Sequence, residues 1–339
     1  MKFEQLPLTQ ASGQILGHNV SGETGRRKLR KGKRLTEGDL EVLASLGRST
    51  VWVARLEPGD VAEDVAATRV AEAAAGDGLR RSRASTGRVN IYSRELGLVR
   101  VDLGRLNELN TCEGVTLATL PTHTAVRQGK MVATLKIIPY AVDATVVERA
   151  EAIADGGMLS LSPLVERRVH LVLSGAPAAR DRIVHGFRDS LGPRLDALGS
   201  HLEEIDFVPL VDDTAEADLA RALERQLGTG ADMIILAGET AIMDAGDIAP
   251  RAIAAAGGTV ESYGTPVDPG NLLLLAYHGG RPIVGAPGCA RSPKKNIVDL
   301  VLPRLLAGDR LTRADIAAFG HGGLLEDVPE RPLPRSWIT

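Results

Sequence analysis

The chain has 339 residues, 44% of them apolar, and its 40 lysines and arginines nearly balance its 43 aspartates and glutamates. That length predicts two domains, and the apolar content excludes disorder along the whole chain. Because the charges nearly balance, the chain as a whole does not attract DNA or an anionic membrane surface electrostatically, so we expect neither as a partner. Because Phe, Tyr and Trp together number only ten, the core must be aliphatic, and no aromatic platform for nucleic acid is expected.

Cysteine usage and apolar runs predict the compartment. The two cysteines, Cys112 and Cys289, exclude a disulfide framework or a cysteine-rich zinc site and fit a reducing cytoplasm. The first ten residues lack the apolar core of a signal peptide, and the longest apolar run, 272–277, is too short for a membrane span. We therefore expect a cytoplasmic globular protein.

The first 160 residues predict a small mixed α+β domain. Residues 25–34 carry seven lysines and arginines in their last nine positions, which is typical of a solvated loop, with an anion-facing patch as the alternative. A helix follows, with Thr36 as its N-cap, leucines on one face and Gly47 at its end. An alanine-rich helix is predicted over 60–76.

Short strands and one more helix complete this domain in the prediction. Between residues 86 and 140, strand-like runs follow one another, separated by Gly, Asn and Pro, and one of them covers 96–103. A helix is expected over 143–154. A Gly-Gly pair follows this helix and favours a domain boundary near residue 160.

From residue 161 to 308 the pattern predicts an α/β domain. Apolar strands at 167–175, 204–211 and 232–238 alternate with amphipathic helices, which indicates a parallel-type sheet in a three-layer arrangement. The second of these helices has a candidate cap at Asp213 or Thr214. A hairpin-like stretch and a last helix, which runs from Lys294 and should be kinked or restarted at Pro303, complete the domain. Residues 309–339 are rich in Pro and Arg and are expected to form a surface tail or linker.

Two loops at strand ends are candidate ligand sites, because open parallel sheets bind ligands at the carboxyl ends of their strands. The loop 238–247 leads into a helix whose first-turn N–H groups suit an anion such as phosphate. Its carboxylates, Asp244 and Asp247, are of the type that holds a divalent cation, and the alternative is that they cap the helix. The loop 285–296 contributes Ser292, Lys294 and Cys289, and a small residue filling the turn is the simpler interpretation of the cysteine.

These loops resemble a known family. The runs LAGETAIMDAGDIAP (236–250) and VDPGNLLLLAYHGGRPIVGAPGCARSP (267–293) resemble the molybdopterin-binding domain of molybdenum-cofactor biosynthesis proteins. Gly238 matches the first glycine of the family's Thr-Gly-Gly-x-Ser-like loop, residues 247–250 match its acidic end, and Pro287-Gly288 matches its second loop. The whole chain is similar to the molybdopterin molybdotransferases, and most similar to the amino-terminal part of bacterial proteins that carry a nucleotidyltransferase-like domain behind a molybdopterin-binding one.

The resemblance implies a set of site residues. Asp244 and Asp247 would be catalytic and would bind a metal, Mg²⁺ being the candidate cation. The residues that would contact molybdopterin are Gly238, Glu239, Thr240, Asp268, Asn271, Pro287, Gly288, Ser292 and Lys294. Hydrogen bonds rather than stacking are expected to hold the pterin, because aromatic residues are scarce.

The chain departs from the family pattern at Glu239, Ala241 and Cys289, which stand where the family has glycine, serine and asparagine. The family's Gly-Asp-Glu loop is also replaced, by residues 174–183. These departures favour pterin binding over molybdate insertion. Two functions lead: a molybdotransferase-like enzyme, and a non-catalytic sensor or delivery module for a nucleotidyltransferase or molybdoenzyme partner. A third and weaker hypothesis is nucleic-acid binding through the basic run 25–34. The resemblance also implies a homo-oligomer, a dimer or a trimer.

Overall fold

The computed structural model describes residues 1–211 and 214–325. Contacts divide the chain into two compact units, of which the first is Met1–Ser162 and the second begins at Pro163. Helices and several sheets occur in both units, so the α/β class predicted from the sequence is confirmed in its broad form. No helix within the described ranges has both the length and the apolarity to cross a membrane.

The first unit begins with a small antiparallel sheet of order β1–β5–β2 and a hairpin of β3 and β4. Its elements are β1 (Lys2–Pro7), β2 (Ile15–Leu16), β3 (Val20–Ser21), β4 (Arg27–Leu29), helix α1 (Glu37–Ser45) and β5 (Thr50–Arg55). The predicted cap of α1 is confirmed: the Asp39 N–H donates to the Thr36 hydroxyl, and the Thr36 N–H donates to the Asp39 carboxylate at 3.0 Å. Leu40 and Leu43 point from α1 into the local core.

A larger core fills the rest of the first unit. The elements are β6 (Asp60–Ala62), α2 (Glu63–Ala74), β7 (Leu79–Arg81), β8 (Arg88–Ser93), β9 (Gly97–Val101), α3 (Leu103–Leu109), β10 (Val115–Thr119), β11 (Ala125–Val126), β12 (Met131–Ile137), β13 (Ala141–Asp143), α4 (Ala144–Ala154) and β14 (Leu159–Pro163). Helices α2 and α4 share one apolar cluster with the antiparallel sheet β10–β12–β8–β7. The strand predicted over 96–103 ends early, because the Asp102 side chain accepts the Arg105 N–H and starts helix α3.

The second unit is built on a six-stranded sheet of order β16–β15–β17–β20–β19–β18. Its elements are β15 (Arg168–Gly175), α5 (Arg180–Ala197), β16 (His201–Pro209), α6 (Ala215–Gly228), β17 (Met233–Gly238), α7 (Ile248–Ala255), β18 (Thr259–Tyr263), β19 (Leu274–His278), β20 (Arg281–Gly285), α8 (Val298–Leu306) and α9 (Arg313–Ala318). Strands β16, β15, β17 and β20 are mutually parallel, while β19 pairs antiparallel with both β20 and β18.

Alternating side chains of β15 separate two apolar clusters. Leu171 and Leu173 pack with α5 and α8, whereas Val172 packs with α6 and α7. Because successive strand residues point to opposite faces, helices cover both sides of the sheet. The core is aliphatic as the composition requires, with Phe187 and Tyr277 as the aromatic members among the described buried residues.

Three other sequence predictions fall in the second unit. Helix α8 begins at Val298 rather than at Lys294. It continues through Pro303, so of the two predicted alternatives, a kink or a restart, the restart does not occur. Thr214 occupies the N-cap position of α6, and Asp213 lies outside the described residues. Of the predicted tail, the described part 309–325 contains α9 and adds Leu311 and Ile316 to the core; residues 326–339 lie outside the description.

Candidate functional site

An open cavity of about 250 Å³ lies at the carboxyl ends of β15 and β17 in the second unit. In the sheet, β16, which follows β15 in the chain, lies on one side of β15, and β17, which follows β16, lies on its other side. The cavity therefore occupies the point where the strand order reverses, which is where open α/β sheets bind ligands. Its walls are mostly apolar, and its lining is Ser174, Leu210, Leu219, Leu236, Ala237, Gly238, Thr240, Ala241, Ile242, Met243, Asp247, Ile248, Ala249 and Ala286.

Gly238 lets the loop after β17 pass closely over the end of β15. A Cβ atom at this position would lie 2.9 Å from the Ser174 hydroxyl oxygen and 3.1 Å from the Ser174 carbonyl oxygen. The next residue, Glu239, donates its N–H to the same carbonyl at 2.9 Å. Glycine thus favours the close approach of the two strand ends here, and it lines the cavity.

The Asp247 carboxylate organises the loop from within. Its Oδ2 accepts the N–H groups of Met243 at 2.5 Å and Asp244 at 3.0 Å, while Asp244 Oδ1 accepts the Gly246 N–H at 2.7 Å. Asp247 stands at the N-cap position of α7, but its side chain makes no capping hydrogen bond. The alternative interpretation of these aspartates as helix caps is therefore replaced by a turn closed on its own carboxylates.

Tyr263 fixes the same loop from β18. Its hydroxyl donates to the Ile242 carbonyl at 2.9 Å. Burial, together with the nearby carboxylates of Asp247 and Asp244, raises the pKa of Tyr263. The phenol thus stays protonated at neutral pH and keeps its role as a donor.

The residues that the structure describes contain no cluster of three or more His, Cys, Asp and Glu side chains suited to a metal ion. Asp244 and Asp247 are near each other in the turn, and each already accepts backbone N–H groups there. The donor set thus does not match the several oxygen ligands of a protein-held divalent cation.

Glu239 links the loops that follow β15 and β17. One of its carboxylate oxygens accepts the Ala176 N–H at 3.0 Å, and the other accepts a hydrogen bond from the Arg182 guanidinium at 2.8 Å. The family resemblance implies that Glu239 contacts the cofactor. In the fold, its carboxylate instead fastens one loop to the other and adds a negative charge beside the cavity.

The predicted loop after β20 contributes to the cavity through its first residues. Ala286 lines the cavity, and its N–H donates to the Leu236 carbonyl at 2.8 Å. Pro287 then leads into a short 3-10 turn, Gly288–Arg291. Burial raises the pKa of the Cys289 thiol in this turn, so the thiol is protonated at neutral pH, in agreement with its interpretation as a turn-filling residue.

Ser292 and Lys294 are held by an arginine of α5. The Arg194 guanidinium donates to the carbonyl oxygens of both residues at 2.9 Å and forms an ion pair with Asp299 at 2.9 Å. The Ser190 hydroxyl also donates to the Ser292 carbonyl, at 3.0 Å. These contacts shape the loop through its backbone.

Asn296, which sequence reasoning missed, is the buried centre of this loop. Its side chain donates to the carbonyl oxygens of Cys289 at 3.3 Å and Lys294 at 3.0 Å, and accepts the Val298 N–H at 3.0 Å. The last of these contacts explains why α8 begins at Val298. An asparagine two residues before a helical apolar run was the signal available in the sequence.

Asp268 and Asn271 belong to a third loop, which packs against the start of α8. The Asp268 N–H donates to the Gly323 carbonyl at 2.8 Å, and the Asn271 carbonyl accepts the Thr265 N–H at 2.8 Å. The Ile297 N–H reaches the Pro269 carbonyl at 3.1 Å. Of the predicted residues, Gly238, Thr240 and Asp247 thus meet at the cavity, whereas Asp268 and Asn271 are set in this neighbouring loop.

The solved structures that are similar to this chain include the following three. A molybdopterin biosynthesis MoeA protein from Pyrococcus horikoshii is 13% identical, with a TM-score of 0.30; the match covers 91% of this chain and 75% of that one. A second structure of a MoeA protein from Pyrococcus horikoshii is 10% identical, with a TM-score of 0.27 and coverages of 90% and 74%. A molybdenum cofactor biosynthesis protein from Pyrococcus furiosus is 12% identical, with a TM-score of 0.22 and coverages of 90% and 63%.

Residues 5–55 match the model of a family described as a domain of unknown function (DUF8806). No protein of curated function matches the sequence. Because these TM-scores are low, the similarity does not establish a function, and the proposal below is based on the residues of this chain.

Proposed function

We propose that the second unit binds molybdopterin and that the protein acts in molybdenum-cofactor biosynthesis. One observation carries the proposal: the cavity at the strand-order reversal is lined by Gly238, Thr240 and Asp247, which belong to the loop that resembles the molybdopterin-binding family. The sequence pattern and the general rule for open α/β sheets thus select the same location.

The chemistry of the cavity suits a flat heterocycle that carries a phosphate. Apolar side chains such as Leu219, Leu236 and Ile248 offer walls for the ring system. The backbone N–H groups of Thr240 and Ala241 have no acceptor within the described ranges, which leaves them to bind phosphate oxygens.

Asp247 supplies the specific acceptor in this proposal. Its Oδ2 is used by the turn, and its Oδ1 faces no donor among the residues described in the structure. An amino group or ring N–H of the pterin would donate to that oxygen, since a carboxylate offers more acceptor sites than the turn consumes. This arrangement fits the expectation that hydrogen bonds, rather than aromatic stacking, hold the ligand.

Binding without turnover is the second candidate. Both carboxylates that a catalytic role would need accept N–H groups of their own turn, which favours a module that holds the cofactor for another enzyme. In that case a nucleotidyltransferase or a molybdoenzyme would be the partner, and a homo-oligomer would be the functional form. Ligand-dependent association with a nucleotidyltransferase, without chemical change of the ligand, distinguishes this candidate from the molybdotransferase-like one.

Analysis of the ligand that copurifies with the protein tests the proposal. Freshly purified protein is denatured, and the released small molecules are examined by pterin fluorescence and mass spectrometry. We expect a pterin that carries a phosphate, whose mass also tells whether it is metal-free, adenylylated or loaded with molybdenum. Protein that releases no pterin and takes up none when molybdopterin is supplied would refute the proposal.

A further inference from the structure

Three ring side chains lie together on the exposed face of the sheet β1–β5–β2 in the first unit. The rings of Phe3 and Trp52 are stacked, with centroids 5.5 Å apart and planes inclined by 19°, and His18 meets Phe3 edge-on at 5.3 Å. Phe3 and Trp52 are each 43% exposed. In a chain with so few aromatic residues, two large rings left side by side at the surface point to an interaction rather than to packing.

The register of β1 on β5 places the two rings on the same face of the sheet. Phe3 pairs with Ala54 across β1 and β5 while Trp52 pairs with Gln5, so the two rings lie diagonally on one face of regular strands. A Cβ atom on Gly17 would lie only 2.7 Å from the Phe3 ring. The absence of a side chain at Gly17 therefore leaves the space that this ring occupies. The two nearly parallel rings therefore form a preorganised stack to which a further planar group can add.

The basic run 25–34 adjoins this aromatic surface. The Lys31 N–H donates to the Asn19 side chain at 2.9 Å, and the Gly32 N–H donates to the Leu16 carbonyl at 2.8 Å. The segment that carries His18 is therefore flanked on one side by β5 and on the other by the basic run. Five exposed cations of this run form no ion pair with any residue in the described ranges: Arg26, Arg27, Lys28, Arg30 and Lys31.

The charge of this part of the chain is unlike that of the whole. Residues 1–55 contain ten lysines and arginines against five aspartates and glutamates, in a chain whose formal net charge is −3. The partner that complements this surface is anionic and has flat, stackable groups. Cations for phosphates and exposed rings for bases are the two components of single-strand binding sites.

We propose that the first unit binds single-stranded nucleic acid on this surface, with bases stacked on Trp52 and Phe3 and phosphates held by the basic run. The proposal is independent of the pterin cavity. An anionic membrane would also attract basic and aromatic side chains, but two exposed rings already stacked with nearly parallel planes suit the addition of planar bases to the stack better than insertion into lipid. Vesicle binding therefore serves as an outcome of the test.

Fluorescence anisotropy with a labelled oligothymidine of about 15 nucleotides tests the surface directly. We expect Trp52→Ala to weaken binding by about tenfold, because a base–aromatic stack is lost. The double variant Arg30→Ser, Lys31→Ser should weaken binding and reduce the slope of log affinity against log salt by about 1.4, at roughly 0.7 for each phosphate contact. Leu103→Ala and the double variant Arg127→Ser, Lys130→Ser alter exposed residues elsewhere in the unit and should leave affinity unchanged.

Tryptophan quenching gives a second measurement that leaves the surface intact. The chain has two tryptophans, Trp52 and Trp337, so the Trp337→Phe protein reports on Trp52 alone. We expect its fluorescence to be quenched as unlabelled single strand is added, and much less by duplex of the same length. The proposal is overturned if no single strand binds at low salt, if Trp52 is not quenched, if Trp52→Ala behaves like Leu103→Ala, or if anionic phosphatidylserine vesicles bind in place of the oligonucleotide.

Discussion

The Glu239 carboxylate accepts the backbone N–H of Ala176 at 3.0 Å, so the loop after β17 fastens the loop after β15. An N–H at the start of a strand-to-helix loop is a typical place for a ligand anion. Here a carboxylate of the protein takes that donor and also pairs with Arg182. Glu239, which stands where the resembled family has glycine, is thus a structural link at the edge of the cavity.

Glu239→Gln removes a negative charge from the cavity edge while keeping an oxygen that can accept the Ala176 N–H. We expect tighter binding of phosphate-bearing pterin, by about two- to tenfold, because repulsion of the phosphate is relieved. Titrations at low and high salt measure the change, and the gain should shrink as salt rises. Weaker binding by the glutamine variant would show that the carboxylate itself contacts the ligand.

Asp247→Ala removes the acceptor of the Met243 and Asp244 N–H groups. Hydrogen bonds to a charged acceptor contribute about 1.5–3 kcal/mol each, so we expect a loss of about 1–3 kcal/mol in the free energy of unfolding and at least tenfold weaker pterin binding. Urea denaturation and ligand titration measure the two effects. Asp189→Ala, an exposed aspartate paired with the adjacent Arg188, is the control; equal binding by the two variants would exclude Asp247 from the site.

Asn296→Ala removes the amide that donates to the carbonyl oxygens of Cys289 and Lys294 and the oxygen that accepts the Val298 N–H. Asn296 is only 1% exposed, so water cannot readily replace the lost contacts, and we expect destabilisation by about 2 kcal/mol. Thermal unfolding followed by circular dichroism measures it. Asn107→Ala, at an exposed position in α3, should change stability little; a similarly small effect at Asn296 would contradict its central place in the loop.

We expect Asp315 to make the free energy of unfolding of the second unit depend on pH in the acid range. Partial burial opposes ionisation of Asp315, but hydrogen bonds from Thr312 and the guanidinium of Arg304 outweigh it and lower the pKa of this carboxyl to about 2. A folded-state pKa below the usual 3.8 means that the stabilisation is complete above pH 4 and is lost as pH falls toward 2. After discounting for solvent screening, it amounts to about 1–2 kcal/mol.

Urea unfolding of wild type and Asp315→Asn at a series of pH values measures this contribution. The wild type should be more stable at pH 5, and the gap should close as pH falls toward 2. Asp189→Asn serves as the control, since this side chain is 62% exposed. A gap between wild type and Asp315→Asn that does not change with pH would contradict the assignment.

Local contacts were the predictable part of the fold. The Thr36–Asp39 capping box joins residues three positions apart, and the apolar spacing of α5 and α6 reveals which face each helix buries. The strand ends that border the cavity follow from the alternation of strands and helices. For this reason the sequence could place Gly238 and Asp247 together at one end of the sheet, where both line the cavity.

Contacts between distant segments could not be predicted in this way. Arg194 reaches the carbonyl of Ser292 across 98 residues, and Glu239 reaches Ala176 across 63. Such pairs depend on strand order and helix placement, which no local pattern specifies. The same holds for the aromatic surface: the small number of rings argued against a stacking platform, but the register of β1 on β5 gathers Phe3 and Trp52 on one face.

The measurement that tests the central claim most directly is the affinity of molybdopterin for a variant whose cavity mouth is covered. Thr240 is exposed and lines the cavity, so Thr240→Trp should fill the mouth without disturbing the core. Thr229→Trp, at an exposed position beyond the other end of α6, is the matched control. We expect at least tenfold weaker binding for Thr240→Trp and wild-type affinity for Thr229→Trp; equal, undiminished affinity in both would show that the ligand binds elsewhere.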